Sequence, residues 1–215
     1  MAGDRWATFD CYGTLINWNA GLRAELARVF GEEQADDRLR RYHELEPELQ
    51  ADGSLSYREV MTEAMRRLDA PAGEEAALAE SLPRWQPFPE VPAALEEARA
   101  LGWRLAILSN TDPDYIAASK ALIGVPFDET VVASEIGSYK PDVGHWRVFD
   151  ARTGAEPARH VHVGASLFHD IAPARRLGLA TVWVNRLGEQ ADPEPAVELP
   201  DLAGLPQALE TLVSE

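Results

Sequence analysis

The stretch Trp6-Ala7-Thr8-Phe9-Asp10-Cys11-Tyr12-Gly13-Thr14-Leu15 decides how the rest of this sequence is interpreted. Its first residues are strand-forming and apolar, and the run stops at a carboxylate, which predicts a short strand ending at Asp10. Gly13, three residues later, allows a tight turn. Because ligands of open α/β sheets bind at the carboxyl ends of the strands, Asp10 is a candidate functional residue. On this stretch alone, an aspartate that serves only the turn is the alternative.

Composition and charge limit the classes of protein to which the chain can belong. Its 215 residues are 46% hydrophobic and 26% charged, as expected for one large soluble α/β domain or a domain with an insert. A net charge of −16 would repel nucleic acids and anionic membranes, so neither is an expected partner. No apolar run is long enough to span a bilayer, and the first residues lack the pattern of a secretory signal. Cys11 is the only cysteine, which excludes an intrachain disulfide and fits a cytoplasmic location.

A helical segment interrupts the strand pattern early in the chain. Residues 16–86 show helical spacing of apolar residues without a strand signal, and a cluster of prolines ends the segment. Strands and helices then alternate, which predicts a parallel sheet with helices on both faces. We therefore predict an α/β fold with a Rossmann-like core, residues 1–15 and 88–215, and an inserted helical cap, residues 16–87. A cap inserted after the first strand would cover the ligand-binding edge of the sheet and exclude water from it.

Polar side chains follow four of the predicted strands. Asp10 ends the first strand, and Ser109 and Asn110 end the second. Lys140 lies in the loop after the third strand, and Asp170 lies near the start of the helix after the fourth. Since the carboxyl ends of parallel strands meet at one edge of a sheet, we expect these side chains to converge in one crevice. The acidic surface means that local donors must hold any anion bound there.

Four motifs at these strand ends resemble those of the haloacid dehalogenase superfamily. They are Phe9-Asp10-Cys11-Tyr12-Gly13-Thr14-Leu15, Leu108-Ser109-Asn110, Tyr139-Lys140-Pro141-Asp142, and Val163-Gly164-Ala165-Ser166 followed by Asp170. The resemblance implies that Asp10 is a nucleophile that forms a covalent intermediate. It implies that Ser109 binds the substrate anion and that Lys140 neutralises charge around the nucleophile. By the same resemblance, Asp170 pairs with Lys140 or holds a metal ion.

Two positions within these motifs separate the chemistries of the superfamily. Phosphatases of the family carry a general-acid aspartate where this chain has Tyr12, and an acidic magnesium ligand where it has Ala165. The Asp-x-Tyr-Gly-Thr pattern is instead similar to the type II 2-haloacid dehalogenases, which need no metal. The resemblance therefore implies hydrolysis of a small anionic 2-haloacid by water, with no cofactor. A magnesium-dependent small-molecule phosphatase is the alternative within the same superfamily.

The resemblance also assigns the remaining site positions. In the dehalogenase branch an arginine of the cap contacts the substrate and the departing halide, and Arg41 has the matching position, with Arg40 beside it. The side chain of Cys11, one position beyond the strand end, is expected to point into packing. The predicted catalytic residues are Asp10, Arg41, Lys140 and Asp170. The predicted substrate-binding positions are Cys11, Tyr12, Thr14, Ser109, Asn110 and Trp146.

Three positions depart from the dehalogenase pattern. Trp146 and Ala165 stand where the branch has a tyrosine and a serine, and Leu167 replaces an asparagine that positions the hydrolytic water. These departures keep a further alternative open, a catalytically weakened binding protein on the same fold. A homodimer is an assembly that the resemblance allows. Three side chains are left as candidates for orienting the water: Ser166, His169 and Asp170.

Overall fold

Six parallel strands form one sheet in this computed structural model, which describes residues 3–51 and 53–213. Every residue of the first strand is buried, because that strand lies between two others in a sheet that is covered on both faces. The strands are β1 (Arg5–Phe9), β2 (Trp103–Ser109), β3 (Glu129–Val132), β4 (His160–Gly164), β5 (Ala180–Val184) and β6 (Val197–Leu199). Their order across the sheet is β3-β2-β1-β4-β5-β6.

The strand order reverses between β1 and β4, and Asp10 lies at that point. The chain builds one half of the sheet outward from β1 and then returns to add β4 on the other side. Phe9, the last residue of β1, pairs with Ile107 on one side and Val163 on the other. A crevice forms beyond the strand ends where the order of an α/β sheet reverses. The position predicted for ligand binding is therefore the one where Asp10 is found.

Helices account for the rest of the regular structure. Among the described residues, five α-helices come between β1 and β2, and the others follow β2, β3, β4 and β6. The first four are α1 (Trp18–Phe30), α2 (Ala35–Gln50), α3 (Tyr57–Arg67) and α4 (Ala77–Ser81). The remaining helices are α5 (Val91–Ala100), α6 (Pro113–Ile123), α7 (Ala133–Ile136), α8 (Gly144–Thr153), α9 (Ala172–Arg176) and α10 (Leu205–Leu212). The predicted fold class, a parallel sheet with helices packed on it, is confirmed.

Three local features differ from the expectations. The segment after β3 begins with the one-turn helix α7 instead of an open loop. The acidic stretch before α10 contributes the three-residue edge strand β6, which is too short to leave a periodic signal. The helix expected after β4 starts with a π-helical turn, Leu167–Ile171, before continuing as α9. Such turns often occur at functional sites.

The inserted helices share one hydrophobic core with one face of the sheet. That core runs from Phe9 and Val163 in the sheet to Tyr42 and Met61 in the helices. Trp6, Ala106, Trp146 and Phe149 belong to a second, smaller core that covers the other face. The sheet is thus packed on both faces, as its continuous apolar strands require.

The chain enters and leaves the helical insert through two adjacent segments. Asn17 N donates to the carbonyl of Gln86 at 2.9 Å, and Phe88 N donates to that of Leu15 at 3.0 Å. These contacts lie next to the boundaries predicted for the cap, although the division into two domains stays a prediction. Within residues 3–51 and 53–213, no helix combines the length and the apolarity needed to cross a membrane.

Candidate active site

Three charged side chains from distant parts of the chain meet at the carboxyl end of β1. Lys140 Nζ donates to Asp10 Oδ1 at 2.8 Å and to Asp170 Oδ1 at 2.6 Å. It also donates to the carbonyl oxygen of Leu108, near the end of β2, at 2.9 Å. Lys140 is 2% exposed and Asp170 is 1% exposed, so the pairing takes place away from bulk water. The structure therefore brings together three of the four predicted catalytic residues.

Burial and mutual attraction act against each other on the ionisation of this cluster. Burial raises the pKa of Asp10 above its ordinary value; Lys140 opposes that rise and Asp170 adds to it. Burial also acts to raise the pKa of Asp170, but Lys140 and His162 outweigh it and hold this pKa well below its ordinary value. Burial lowers the pKa of Lys140, but the two carboxylates outweigh it and the pKa lies above its ordinary value. Lys140 therefore stays an ammonium group and Asp170 a carboxylate, while Asp10 is the carboxyl that gains a proton more readily.

The turn after β1 fixes the second oxygen of Asp10. Thr14 Oγ1 donates to Asp10 Oδ2 at 2.8 Å and accepts from the backbone N–H of Ala165 at 2.9 Å. Gly13 has φ +92°, a conformation that other residues rarely adopt, and it turns the chain back towards Asp10. Both carboxylate oxygens of Asp10 are thus held by donors from fixed elements. Thr14 orients Asp10 instead of lining the cavity itself.

Ser109 and Asn110, at the end of β2, play different parts. Ser109 is 1% exposed and lines the cavity beside Asp10. The side-chain amide of Asn110 clamps the backbone of Lys140: Nδ2 donates to its carbonyl at 3.0 Å, and Oδ1 accepts from its N–H at 2.7 Å. Asn110 therefore holds the segment that carries the lysine, and its side chain also borders the cavity.

A close approach at the end of β4 places Asp170. Its side chain packs directly against Gly164, where a Cβ atom would lie 2.5 Å from Asp170 Cβ. Ser166 N donates to Asp170 Oδ2 at 3.3 Å, and His162 Nε2 lies 3.4 Å from Asp170 Oδ1. Thr8 Oγ1 bonds to both strand histidines, His160 at 2.8 Å and His162 at 2.9 Å. The π-helical turn after Ser166 thus returns Asp170 to the strand that precedes it.

Asp10 borders a cavity of about 470 Å³. One side of α2 forms a wall of it through His43, Glu46 and Gln50, whose spacing of three and four residues places them on one helix face. An adjoining cavity of about 400 Å³ shares Asp10 and Tyr12 with it. The larger cavity is lined by Asp10, Tyr12, Trp18, His43, Glu46, Pro47, Gln50, Tyr57, Ser109, Asn110, Lys140, Ser166, His169, Asp170 and Glu189.

Glu46 is an acidic group in that wall that the sequence did not single out. It accepts from the Tyr57 hydroxyl at 2.7 Å and from the Tyr42 hydroxyl at 3.3 Å. Burial raises the pKa of Glu46 to about 7, against the lowering effect of these two hydrogen bonds. Near neutral pH the wall therefore presents a carboxyl group that is partly protonated. A helical pattern of polar residues at 43, 46 and 50 beside the apolar stripe is the signal that could have identified this face.

The structure does not bring Arg41 to the cavity. Its side chain is 55% exposed and forms an ion pair with Glu44 at 2.6 Å. Tyr42 and Leu45 face the core, and a helix rotates by about 100° per residue, so Arg41 lies nearly opposite the face of His43 and its partners. Arg40 is likewise exposed and paired, with Asp37. Arg41 therefore does not line the cavity in this structure, and its contact with a substrate stays a prediction.

Two of the predicted substrate contacts lie behind the site, and a third lines it. Trp146 is fully buried in the smaller core, with its ring 4.9 Å from that of His162, and it borders neither cavity. Cys11 is also fully buried; burial raises the pKa of its thiol well above the ordinary value, so it is no nucleophile. Tyr12 lines both cavities, and its hydroxyl lies 3.0 Å from Ser119 Oγ. The opposite placements of Cys11 and Tyr12 follow from the strand end, where successive side chains alternate in direction.

The donors around Asp10 do not fit a magnesium ion. Both oxygens of Asp10 are engaged by Lys140 and Thr14, and position 165 offers only a methyl group. Magnesium requires several oxygen ligands in octahedral geometry. In the part of the chain that the structure describes, no three His, Cys, Asp or Glu side chains are grouped as ligands.

Comparison with known proteins agrees with this geometry. The family described as haloacid dehalogenase-like hydrolase matches residues 5–178. The (S)-2-haloacid dehalogenase of Pseudomonas sp. (strain YL) is 27% identical over 229 aligned positions, which cover 94% of this chain and 93% of that protein. A phosphoserine phosphatase of Thermus thermophilus is 33% identical over 118 positions, 54% of this chain and 47% of that protein.

A solved structure has the same fold. The L-2-haloacid dehalogenase of Xanthobacter autotrophicus, with chloropropionic acid covalently bound, matches with a TM-score of 0.83 at 20% sequence identity. The match covers 96% of this chain and 98% of that one. The resemblance drawn from the four motifs is confirmed, and the near-full-length sequence matches to (S)-2-haloacid dehalogenases support the type II branch. With its Asp10–Lys140–Asp170 cluster at the switch point of the sheet, the chain belongs to the haloacid dehalogenase-like hydrolases.

Proposed function

We propose that this chain hydrolyses small 2-haloalkanoic acids through an ester of Asp10, without a metal ion. The observation that carries the proposal is the setting of Asp10, whose two oxygens are held by Lys140 and Thr14 at the wall of a cavity. A carboxylate fixed in this way is oriented for attack on a bound substrate. The full-length likeness to an (S)-2-haloacid dehalogenase supports the choice of substrate.

In the first step, an oxygen of Asp10 attacks carbon 2 of the haloacid. The new carbon–oxygen bond forms as the carbon–halogen bond breaks, and the halide leaves with the bonding electron pair. Ser109, which is buried beside Asp10, is proposed to donate to the substrate carboxylate. Lys140 opposes the rise that burial causes in the pKa of Asp10, and so favours the ionised form, which is the better nucleophile.

In the second step, water hydrolyses the ester. It attacks the carboxyl carbon of Asp10, the bond from that carbon to the ester oxygen breaks, and the 2-hydroxy acid leaves. One oxygen of the regenerated Asp10 then comes from solvent. Repeated turnover in labelled water would therefore introduce ¹⁸O into Asp10, which separates an enzyme from a binding protein on this fold.

The phosphatase alternative is less well supported by the residues present. Burial raises the pKa of Tyr12 well above its ordinary value, and its hydroxyl is paired with Ser119, so it is poorly placed to protonate a leaving alcohol. Ala165 offers no ligand to a metal ion. We also propose a cytoplasmic location, which the lone buried Cys11 supports, and assembly as a homodimer.

The test is halide release from chloroacetate, bromoacetate, fluoroacetate and L-2-chloropropionate in the presence of EDTA. We expect halide from at least one of them with wild-type protein and none above background with Asp10→Asn. Absence of halide from all four, or turnover by Asp10→Asn, would overturn the proposal. Phosphate release from small phosphate esters that EDTA abolishes would establish the phosphatase instead.

A further inference from the structure

We propose that His169, oriented by Ser166, is the general base that activates the hydrolytic water for attack on the Asp10 ester. The inference rests on the proposed function, because it concerns the second of its two steps. It names a base for that step. At position 167 this chain has leucine, where the dehalogenase branch has an asparagine that positions the water. Hydrolysis of an ester at neutral pH requires a group that removes a proton from water as the water attacks.

Ser166 and His169 form a hydrogen-bonded pair in the wall of the cavity. Ser166 Oγ accepts from the backbone N–H of His169 at 3.0 Å, and it lies 3.1 Å from His169 Nδ1. Both side chains line the cavity into which Asp10 projects. In the tautomer that we propose, Nδ1–H donates to Ser166 Oγ, so Nε2 keeps its lone pair. Within the described residues, no group hydrogen-bonds to Nε2, which leaves it open to a water in the cavity.

The backbone connects this pair directly to the nucleophile. Ser166 follows Ala165, whose N–H donates to Thr14 Oγ1, which in turn donates to Asp10 Oδ2. The π-helical turn that starts after Ser166 then places His169 and Asp170 at the same cavity. The candidate base is therefore mounted on the segment that already orients the carboxyl group to be attacked.

Three other side chains at the cavity, those of Asp170, Lys140 and Ser166, are poorly suited to act as the base. Asp170 Oδ1 binds Lys140 and lies 3.4 Å from His162, and its Oδ2 accepts from Ser166 N. Lys140 is a buried ammonium group with no lone pair to offer. Ser166 has a neutral hydroxyl, which is a weak base without a partner to deprotonate it.

Two further titratable groups stand on the α2 wall of the cavity. Glu46 accepts hydrogen bonds from Tyr57 and Tyr42, and His43 stacks on Trp18 with ring centroids 4.9 Å apart. Neither belongs to the segment that orients Asp10.

Burial lowers the pKa of His169, which keeps its imidazole neutral and able to accept a proton at neutral pH.

The proposed proton transfers balance. As the water oxygen bonds to the carboxyl carbon of Asp10, one water proton passes to His169 Nε2. When the bond from this carbon to the ester oxygen breaks, that proton passes to the departing oxygen and forms the 2-hydroxy acid. The second water proton stays on Asp10 as its carboxyl proton and is released to solvent, which restores the carboxylate beside Lys140.

The experiment compares the first turnover with the steady state in His169→Asn, which keeps an amide near the position of Nδ1 but has no base. Bromoacetate is mixed with the protein, bromide is followed over time, and the protein is analysed by mass spectrometry after acid quench. We expect one bromide per Asp10 at a rate within about threefold of wild type. Steady-state turnover should then fall by about 100-fold or more, with the ester accumulating on Asp10.

Further variants separate a base from a structural role. His169→Ala should also accumulate the ester, and added imidazole should restore part of its turnover. Ser166→Ala should lose about tenfold in steady-state turnover with partial accumulation of the ester, and Ser166→Thr, which keeps the hydroxyl, should recover it. Circular dichroism and thermal melting identify any variant that fails to fold.

Each remaining outcome contradicts the inference. Steady-state turnover of His169→Asn within fivefold of wild type, or equal loss of the first bromide and of turnover without ester, overturns it. Accumulation of the ester in His43→Asn or Glu46→Gln but not in His169→Asn assigns the base to the α2 wall. Wild-type protein that releases no halide from any haloacid overturns the proposed function, and this inference with it.

Discussion

Lys140 Nζ lies 2.8 Å from Asp10 Oδ1, although 130 residues separate the two in the chain. The contact depends on the parallel sheet, which brings the end of β1 and the segment after β3 to the same edge. It also depends on the side-chain amide of Asn110, which fixes the backbone of Lys140 on both sides of its Cα atom. Asp170 completes the cluster from the turn after β4. The ammonium group thus both pairs with the candidate nucleophile and balances a second buried carboxylate.

Lys140→Met should impair both activity and stability. Removing the ammonium leaves Asp10 and Asp170 buried without their cation, which should cost about 3–5 kcal/mol of unfolding free energy. The pKa of Asp10 should rise further, and halide release at neutral pH should fall by about 100-fold or more. The measurements are urea unfolding and halide release over a range of pH.

Lys120→Met alters the other lysine of the sequence, which bonds to Thr130, and it serves as the matched control. A Lys140→Met protein with turnover within tenfold of wild type would contradict the assigned role.

Arg41→Ala should leave catalysis nearly unchanged. Arg41 is exposed and paired with Glu44 on the side of α2 away from the cavity, and surface ion pairs of this kind contribute about 0–1 kcal/mol. We expect kcat/KM for haloacids to stay within about twofold of wild type. A loss of more than tenfold would show that Arg41 reaches the substrate in the working enzyme, as the resemblance to the dehalogenase branch implies.

The contrast between Lys140 and Arg41 shows where sequence reasoning succeeds and where it stops. Asp10, Ser109, Lys140 and Asp170 could be predicted because each lies at the end of a parallel strand or in the segment after it, and sheet geometry brings such residues to one edge. Whether Arg41 reaches the cavity depends on how α2 is rotated about its own axis. The apolar stripe containing Tyr42 and Leu45 predicts which face of the helix meets the core, but not which flank of that stripe faces Asp10. That choice is made by packing against α1 and α3, which involves residues distant in sequence.

A second limit concerns the side chains that only the folded chain brings near one another. Glu46 and Tyr57 come from different helices, and neither residue type suggests a pair on its own. The π-helical turn after Ser166 changes the direction of His169 relative to a regular α-helix. The edge strand β6, only three residues long, carries no periodic pattern. The strands and the strand-end residues are therefore predictable, whereas the walls of the cavity are not.

Gly164→Ala should disturb the cluster of Asp10, Lys140 and Asp170 by displacing Asp170. A Cβ atom at this position would lie 2.5 Å from Asp170 Cβ and 2.7 Å from its Oδ2, so Asp170 must shift from its present position beside Lys140. Overpacking of this kind should lower the unfolding free energy by about 1–3 kcal/mol and reduce halide release together with it. Gly3→Ala, whose Cβ would meet only Glu156 at 3.4 Å, should change neither quantity. Wild-type activity in Gly164→Ala would show that the site tolerates a displaced Asp170.

Glu46 should make the stability of the protein depend on pH. Its pKa is about 7 in the folded chain, against 4.5 as the reference for an unburied glutamate. Between these values the folded state holds a proton that the unfolded state has released, so stability is lost as the pH rises through about 7. The contribution amounts to at most about 3 kcal/mol. Urea unfolding of wild type at pH 5 and pH 8 should therefore show a decrease that Glu46→Gln largely lacks.

The same ionisation should act on substrate binding. Above pH 7 the α2 wall carries an added negative charge facing Asp10, so KM for an anionic haloacid should rise several-fold between pH 6 and pH 8. Glu46→Gln keeps the shape of the side chain but cannot ionise, and its KM should stay flat over that range. Glu44→Gln, on the exposed side of the same helix, should behave as wild type in both measurements. If KM and the unfolding free energy of Glu46→Gln depend on pH as those of wild type do, ionisation of Glu46 causes neither dependence. That result would contradict both predictions for Glu46.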